Sequence, residues 1–165
     1  MNDFDFYVGT WDVANRRLLE RGVGGDEWEE FPGRSVAHSV FGGRGNFDEI
    51  TFPTKGFDGA TLRLYDAARD EWSLYWINSE RGLDPVPVVG RFADGIGVFE
   101  ADDTDEGRPI RVRFTWSEIT SDFCHWEQAF SYDDGKSWET NWIMRSTRVT
   151  PRRRSRSSAG APSPW

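Results

Sequence analysis

From Gly9 to Val149 apolar and polar residues alternate in short runs, and each run ends in a cluster of Gly, Asp, Asn or Pro. An alternation of period two puts one set of side chains on each face of an extended strand, so the pattern predicts strands and not helices. The runs are 9–20, 27–31, 35–41, 47–52, 60–66, 71–78, 86–92, 96–102, 109–119, 122–132 and 137–149, and the second and third read either as two strands or as one bent strand broken at Pro32–Gly33. Helical periodicity is missing apart from one short turn around Phe4–Tyr7. About ten strands joined by short turns favour an antiparallel sheet that removes its exposed edges by closing on itself. The expected fold class is all-β: a closed, antiparallel, up-and-down β-barrel over residues 1–150.

The turns between the last three runs set which side chains share a face. "SYDDGKSW" (131–138) fits the Asp-box pattern S-x-D-x-G-x-x-W. It occurs once, without the blade-length repeat of a propeller, and its residues suit a tight hairpin turn better than sugar chemistry. With Ser131 opposite Trp138, Ala129 faces Thr140, Glu127 faces Trp142 and His125 faces Met144. Taking "ITSD" (119–122) as the preceding turn puts Glu118 opposite Phe123, Trp116 opposite His125 and Phe114 opposite Glu127. One face then carries Val112, Phe114, Trp116, His125, Glu127, Ala129, Thr140, Trp142 and Met144, and its apolar character assigns it to the lumen. A carboxylate among those rings needs a partner or a raised pKa, so Glu127 is the leading polar residue of the expected pocket. It reads equally as a buried structural carboxylate, and His125 as a satisfied interior residue.

Composition adds rings to this picture. Nine Trp, twelve Phe and four Tyr stand against a hydrophobic share of only 37%, so apolar mass is concentrated in a few large side chains that suit a pleated surface. Cys124 is the only cysteine, which excludes an internal disulfide and a thiolate metal cluster and fits a reducing, cytoplasmic setting. "MNDFDFYVGTW" has neither the basic nor the apolar part of a leader, and no run has the length of a membrane span. A soluble chain is expected. The segment from Pro151, "PRRRSRSSAGAPSPW", holds four of the 20 Lys and Arg and no acid. The remainder has 16 basic against 28 acidic side chains, a net charge of −12. Such a body repels phosphate backbones, so no nucleic-acid partner is expected, and the tail reads as a disordered extension. "FGGRGNFDE" (41–49) is a turn between strands and not a phosphate loop, and "EADDTDE" (100–106) lacks EF-hand spacing and reads as a solvated acidic loop. No metal site is expected.

Near the N-terminus "VGTWDV" (8–13) resembles the G-x-W signature that opens the first strand of lipocalins and their calycin relatives. The chain over about residues 4–149, through "LRLYDAARDEWSLYWINS", "GRFADGIGVFEADD" and "WEQAFSYDDGKSWETNWIM", looks like a group of uncharacterised actinobacterial lipocalin-like proteins. The resemblance implies a calycin-type barrel with Trp11 closing one end, and no particular activity. Nitrobindin-like calycin relatives imply haem bound through a histidine, here His38 or His125, although "DVANRR" stands where their glycine-rich motif follows the first Trp.

The reading that results is a barrel whose lumen takes a small, mostly apolar ligand through Trp11, Trp76, Asn78, Phe114, Trp116, Trp142 and Met144. No cofactor is expected, no membrane partner, and a homodimer is open. One alternative is a cofactor-free cyclase or isomerase in which the rings fold a flexible substrate and Glu127, with His125, serves as acid or base. Nitrobindin-like haem binding is the second alternative. A third has the rings filling the barrel, with the functional surface outside.

Overall fold

The computed structural model describes residues 3–151, and the tail expected to be disordered lies, from residue 152 on, outside the described residues. Its strands are β1 (Gly9–Leu18), β2 (Trp28–Val40), β3 (Gly45–Thr51), β4 (Gly59–Asp66), β5 (Glu71–Asn78), β6 (Gly82–Leu83), β7 (Val88–Ala93), β8 (Ile96–Asp105), β9 (Arg108–Ser117), β10 (Phe123–Ser131) and β11 (Glu139–Arg148). All pairings are antiparallel: β1 joins β2 and β11, and β4 pairs with β5 along its whole length. That last pairing closes the sheet into a barrel of ten strands, with the two-residue β6 appended to β5. The expected closed antiparallel fold is therefore the fold observed. No helix among the described residues is long and apolar enough to cross a membrane.

β2 runs unbroken through Pro32–Gly33, opposite Ala14 and Val13 of β1, and β3 joins it only from Arg34 onward. The proline thus sits where the strand has a single neighbour, where its missing N–H is tolerated. Two hairpins use two-residue turns, Asp94–Gly95 and Glu106–Gly107, with φ of 53° and 76° in the first and 48° and 82° in the second. Positive φ at both positions is the primed turn whose twist matches antiparallel strands, and it is what the Gly in each pair permits. The second turn corrects the reading of residues 100–106 as a loop. The acidic run continues β8 to Asp105, because its acids meet arginines: Glu100 and Asp102 lie 3.3 and 3.6 Å from Arg111, and Asp105 lies 2.8 Å from Arg21.

One end of the barrel is plugged by the N-terminal segment, which forms a 3-10 turn at Asp5–Tyr7. Phe4 is 1% exposed and packs edge-on to Trp72, Phe92 and Trp116 at centroid distances of 4.9, 5.0 and 5.8 Å. Trp11 is fully buried, stacks on Tyr7 at 5.3 Å, and donates its indole N–H to the Tyr7 carbonyl at 2.8 Å. Arg148 lies over the Trp11 ring at 4.3 Å and donates to the carbonyls of Phe6, Val8 and Ser121. A cation held by three carbonyls and an aromatic face ties the last strand to the plug.

Cys124 is 1% exposed in this core, and burial pushes its thiol up from 9.0 to about 12. A thiol so shifted holds on the order of a thousandfold less thiolate at pH 8, and the thiolate is the reactive form. Iodoacetamide at pH 8 is therefore expected to alkylate the native protein at least a hundredfold more slowly than the urea-unfolded chain, as roughly estimated from that fraction. Equal rates by mass spectrometry would place the thiol at the surface.

Candidate functional site

Two local irregularities decide what faces the lumen. At the β9–β10 turn Glu118 takes φ of 50°, and beyond it His125 pairs with Ser117, Trp126 with Trp116 and Gln128 with Phe114. The turn is one residue longer than "ITSD" implied, so β10 is reversed relative to β9. Between β10 and β11 the expected register holds at Ala129–Thr140, then a bulge at Asn141 shifts it, and Gln128 pairs with Trp142 and Trp126 with Met144. The second shift undoes the first. Phe114, Trp116, Trp142 and Met144 face inward as expected, whereas the placement of Glu127 and His125 in the lumen is corrected: both lie on the outer face of β10. There His125 is 3.9 Å from Glu127, 3.5 Å from Glu118 and 3.3 Å from Arg145. His38 is exposed on β2, so neither histidine of the chain offers an imidazole to the lumen.

The lumen holds a cavity of about 170 Å³. Its walls carry Trp76 from β5, Phe114 and Trp116 from β9, Trp126 and Phe130 from β10, and Trp142 from β11. These rings support one another: Trp142 stands edge-on to Trp76 at 6.3 Å and to Trp126 at 6.1 Å, and Phe114 packs on Trp126 at 5.0 Å. Gly59 on the neighbouring strand β4 makes room for Trp76, since a Cβ there would lie 2.1 Å from the indole. The seam between β5 and β7 is short, Trp72–Gly90 to Leu74–Val88. Past it the strands separate, and Asp84 and Val86 of the connecting segment border the cavity.

At the plugged end the cavity meets a buried polar cluster. Arg63 of β4 and Asp48 of β3 are each 3% exposed, with Nη2 and Oδ1 2.6 Å apart. The contact is short but off hydrogen-bond angles, so it is an ion pair first. Arg63 Nη1 donates to Asn46 Oδ1 at 2.8 Å, and Ser35 donates to the other Asp48 oxygen at 3.1 Å. The guanidinium carbon lies 5.1 to 5.4 Å from the centroids of Phe4, Tyr7 and Trp116. Burial, and then the Asp48 carboxylate, raise the Tyr7 phenol above its ordinary range, so it stays protonated. Toward the other end Trp142 donates to Asn15 Oδ1 at 3.0 Å, and Gln128 donates to Asn141 Oδ1 at 2.8 Å. The bulge is what turns Asn141 inward, 1% exposed, to hold Gln128 against the wall.

The Asp-box hairpin closes on itself at this second end. Asp133 accepts from Ser131 Oγ, from Ser137 N and from Ser137 Oγ, and these bonds hold its carboxyl down from 3.8 to about 2. A depressed folded value means that the bonds stabilise the hairpin above pH 4 and cease to do so as pH falls from about 4 to 2. Amide resonances of Gly135 and Ser137 are expected to shift with a midpoint near 2, and to lose that titration in Asp133→Asn. A midpoint at 3.8 would show that the carboxylate is not held.

Of the other residues expected in the site, Trp76 borders the cavity, whereas Trp11 lies in the closed end with Tyr7 forming the boundary. Asn78 is committed to a turn, accepting from the N–H groups of Glu80 and Arg81. The sequence reading missed Asp48, Arg63, Trp126 and Gln128. For β10 a usable signal existed in its own alternation, since Cys124, Trp126 and Phe130 are apolar where His125 and Glu127 are not. Asp48 and Arg63 meet diagonally across the neighbouring strands β3 and β4, where Asn46 pairs with Arg63 and Asp48 with Thr61, and the connection 52–58 carries no turn pattern from which that register could be read.

No family model matches the chain, and no curated protein matches it. Among solved structures it is similar to the S-type phycobiliprotein lyase CPES from Guillardia theta, with a TM-score of 0.59 and 13% identity over 89% of this chain and 90% of that one. At that identity the likeness shows the fold alone. A protein of unknown function from the DUF3598 family of Nostoc punctiforme aligns over 90% of this chain and 98% of its own at 9% identity, but its TM-score of 0.25 carries no argument.

Proposed function

We propose that the protein binds a small, mostly apolar molecule inside the barrel, as a carrier or sensor. The observation that carries this is the ring-walled cavity of about 170 Å³, sealed at one end by the N-terminal plug. Small barrels are commonly filled by their own side chains, whereas a cavity of about 150 Å³ lined by apolar groups takes a single aromatic ring. A solved barrel named as a phycobiliprotein lyase has the same fold, which is in keeping with a lumen that takes a small molecule. The cyclase or isomerase alternative has lost its acid and base from the lumen with the corrected register of β10.

Trp76, Trp116, Trp126 and Trp142 border the cavity, so occupancy is readable in their fluorescence. Titration with single-ring aromatics is expected to quench the native protein saturably. Ala101→Phe, which puts a ring into the space from the wall, is expected to abolish the response while the barrel still unfolds cooperatively. An unchanged titration in that variant would place binding elsewhere, and native mass spectrometry of protein from its own host would then show whether a ligand travels with it.

A further inference from the structure

We propose that the lumen selects a ligand carrying a positively charged, weakly hydrated nitrogen, a quaternary ammonium or its like, and holds it against the rings of Trp76, Trp126 and Trp142. The inference rests on the lumen-binding reading and adds the charge of the ligand. Trp142 stands at 77° to Trp76 and at 82° to Trp126, with centroids 6.3 and 6.1 Å away, so the three rings form crossed walls and not a stack. All three border the cavity and are only half-buried, so each keeps surface that a guest can touch. The face of an aromatic ring is the negative part of its quadrupole, and several rings set around one point are the arrangement that holds quaternary ammonium groups.

The charges in the wall have the sign that this guest needs. Asp48 and Arg63 neutralise each other at the plugged end, and the other charged residues bordering the cavity are Asp84 and Asp103. Asp103 lies two residues beyond Ala101 on β8 and directly opposite the buried Ile110 of β9, which puts it on the inner face toward the open end. Asp84 donates its backbone N–H to the carbonyl of Trp76 at 2.9 Å, beside the first of the three rings. Each carboxylate accepts one N–H from its own segment, Asp84 from Val86 and Asp103 from Thr104, and neither has an ion-pair partner among the described residues. Both residues are half-buried, so both are within reach of a guest. Two arginines at the open end are already engaged, Arg17 with Glu29 and Arg21 with Asp105, each at 2.8 Å. An anion in this cavity would lose water to stand near two unpaired carboxylates, whereas a cation meets both the carboxylates and the ring faces.

The test uses phenyltrimethylammonium and tert-butylbenzene on the full chain, two molecules of one shape with a charged nitrogen in the first where the second has a neutral carbon. Toluene is the neutral reference for the lumen itself. Phenyltrimethylammonium is expected to bind roughly tenfold or more tightly than tert-butylbenzene, as a partly desolvated cation among rings should. Asp103→Asn, which keeps the size and removes the charge, is expected to weaken the ammonium by about threefold or more and to leave tert-butylbenzene unchanged. Independently of any variant, the N-methyl proton resonance of phenyltrimethylammonium is expected to move upfield on binding, because protons over ring faces are shielded. Equal affinities, an unmoved N-methyl resonance, or a preference unaltered in Asp103→Asn overturns the proposal. Binding of toluene without any binding of phenyltrimethylammonium also overturns it and leaves the lumen reading intact. If none of the three compounds binds, the lumen reading falls and takes the proposal with it.

Discussion

Arg63→Met is expected to destabilise the barrel by about 3–5 kcal/mol, the cost of leaving one member of a buried ion pair alone. Asp48 would keep its Ser35 bond but lose the guanidinium 2.6 Å away, in surroundings where its side chain is 5% exposed. Coulomb energy gained inside the pair does not measure this effect, because much of it only repays the desolvation of both charges. The double variant Arg63→Met, Asp48→Leu is therefore expected to recover most of the loss. Urea unfolding of the wild type and the two variants checks both statements. A single variant within about 1 kcal/mol of wild type, the size of an exposed pair, would mean that water reaches the cluster.

Phe4→Ala is the second large effect, expected at about 3–5 kcal/mol for truncating a buried aromatic ring. Phe4 touches rings from four strands, Trp72 on β5, Phe92 on β7, Phe99 on β8 and Trp116 on β9, and the guanidinium of Arg63 lies over it at 5.1 Å. Its removal takes away the center of the plug, so the loss includes packing against all of them. For a chain of this size each kcal/mol corresponds to roughly 2–4 °C in Tm, so a fall of order 10 °C is expected in calorimetry. The floor of the lumen also widens in this variant. Fused two-ring aromatics that bind the wild type weakly are expected to bind it better, and a small Tm change with unaltered ligand preference would show that the segment merely rests on the barrel.

The elements themselves were legible because strand signals are local. Apolar alternation placed nearly every strand to within a few residues, and of the two readings open at Pro32–Gly33, two strands or one bent strand, the structure has a single strand. Pairs such as Asp94–Gly95 carried their turns in their own residue types. The acidic run at 100–106 misled for the opposite reason: its acids are met by Arg21, from the connection between β1 and β2, and by Arg111 of β9.

The candidate site divides along the same line. That Phe114, Trp116, Trp142 and Met144 share a face followed from alternation, and it survived because two unforeseen shifts cancelled on β11. Between those shifts stood β10, and there a single extra residue in the turn exchanged Glu127 and His125 for Trp126 and Gln128. A period of two makes every strand face hostage to one residue, so the sequence determined the barrel and its supply of rings, while turn length and the bulge at Asn141 decided which rings look inward. The plug belongs wholly to the tertiary structure, because Phe4 meets rings on β5, β7, β8 and β9 that only the closed barrel brings around it. The Arg63–Asp48 pair forms between the neighbouring strands β3 and β4, and what the tertiary structure adds is its burial against the rings of Phe4, Tyr7 and Trp116.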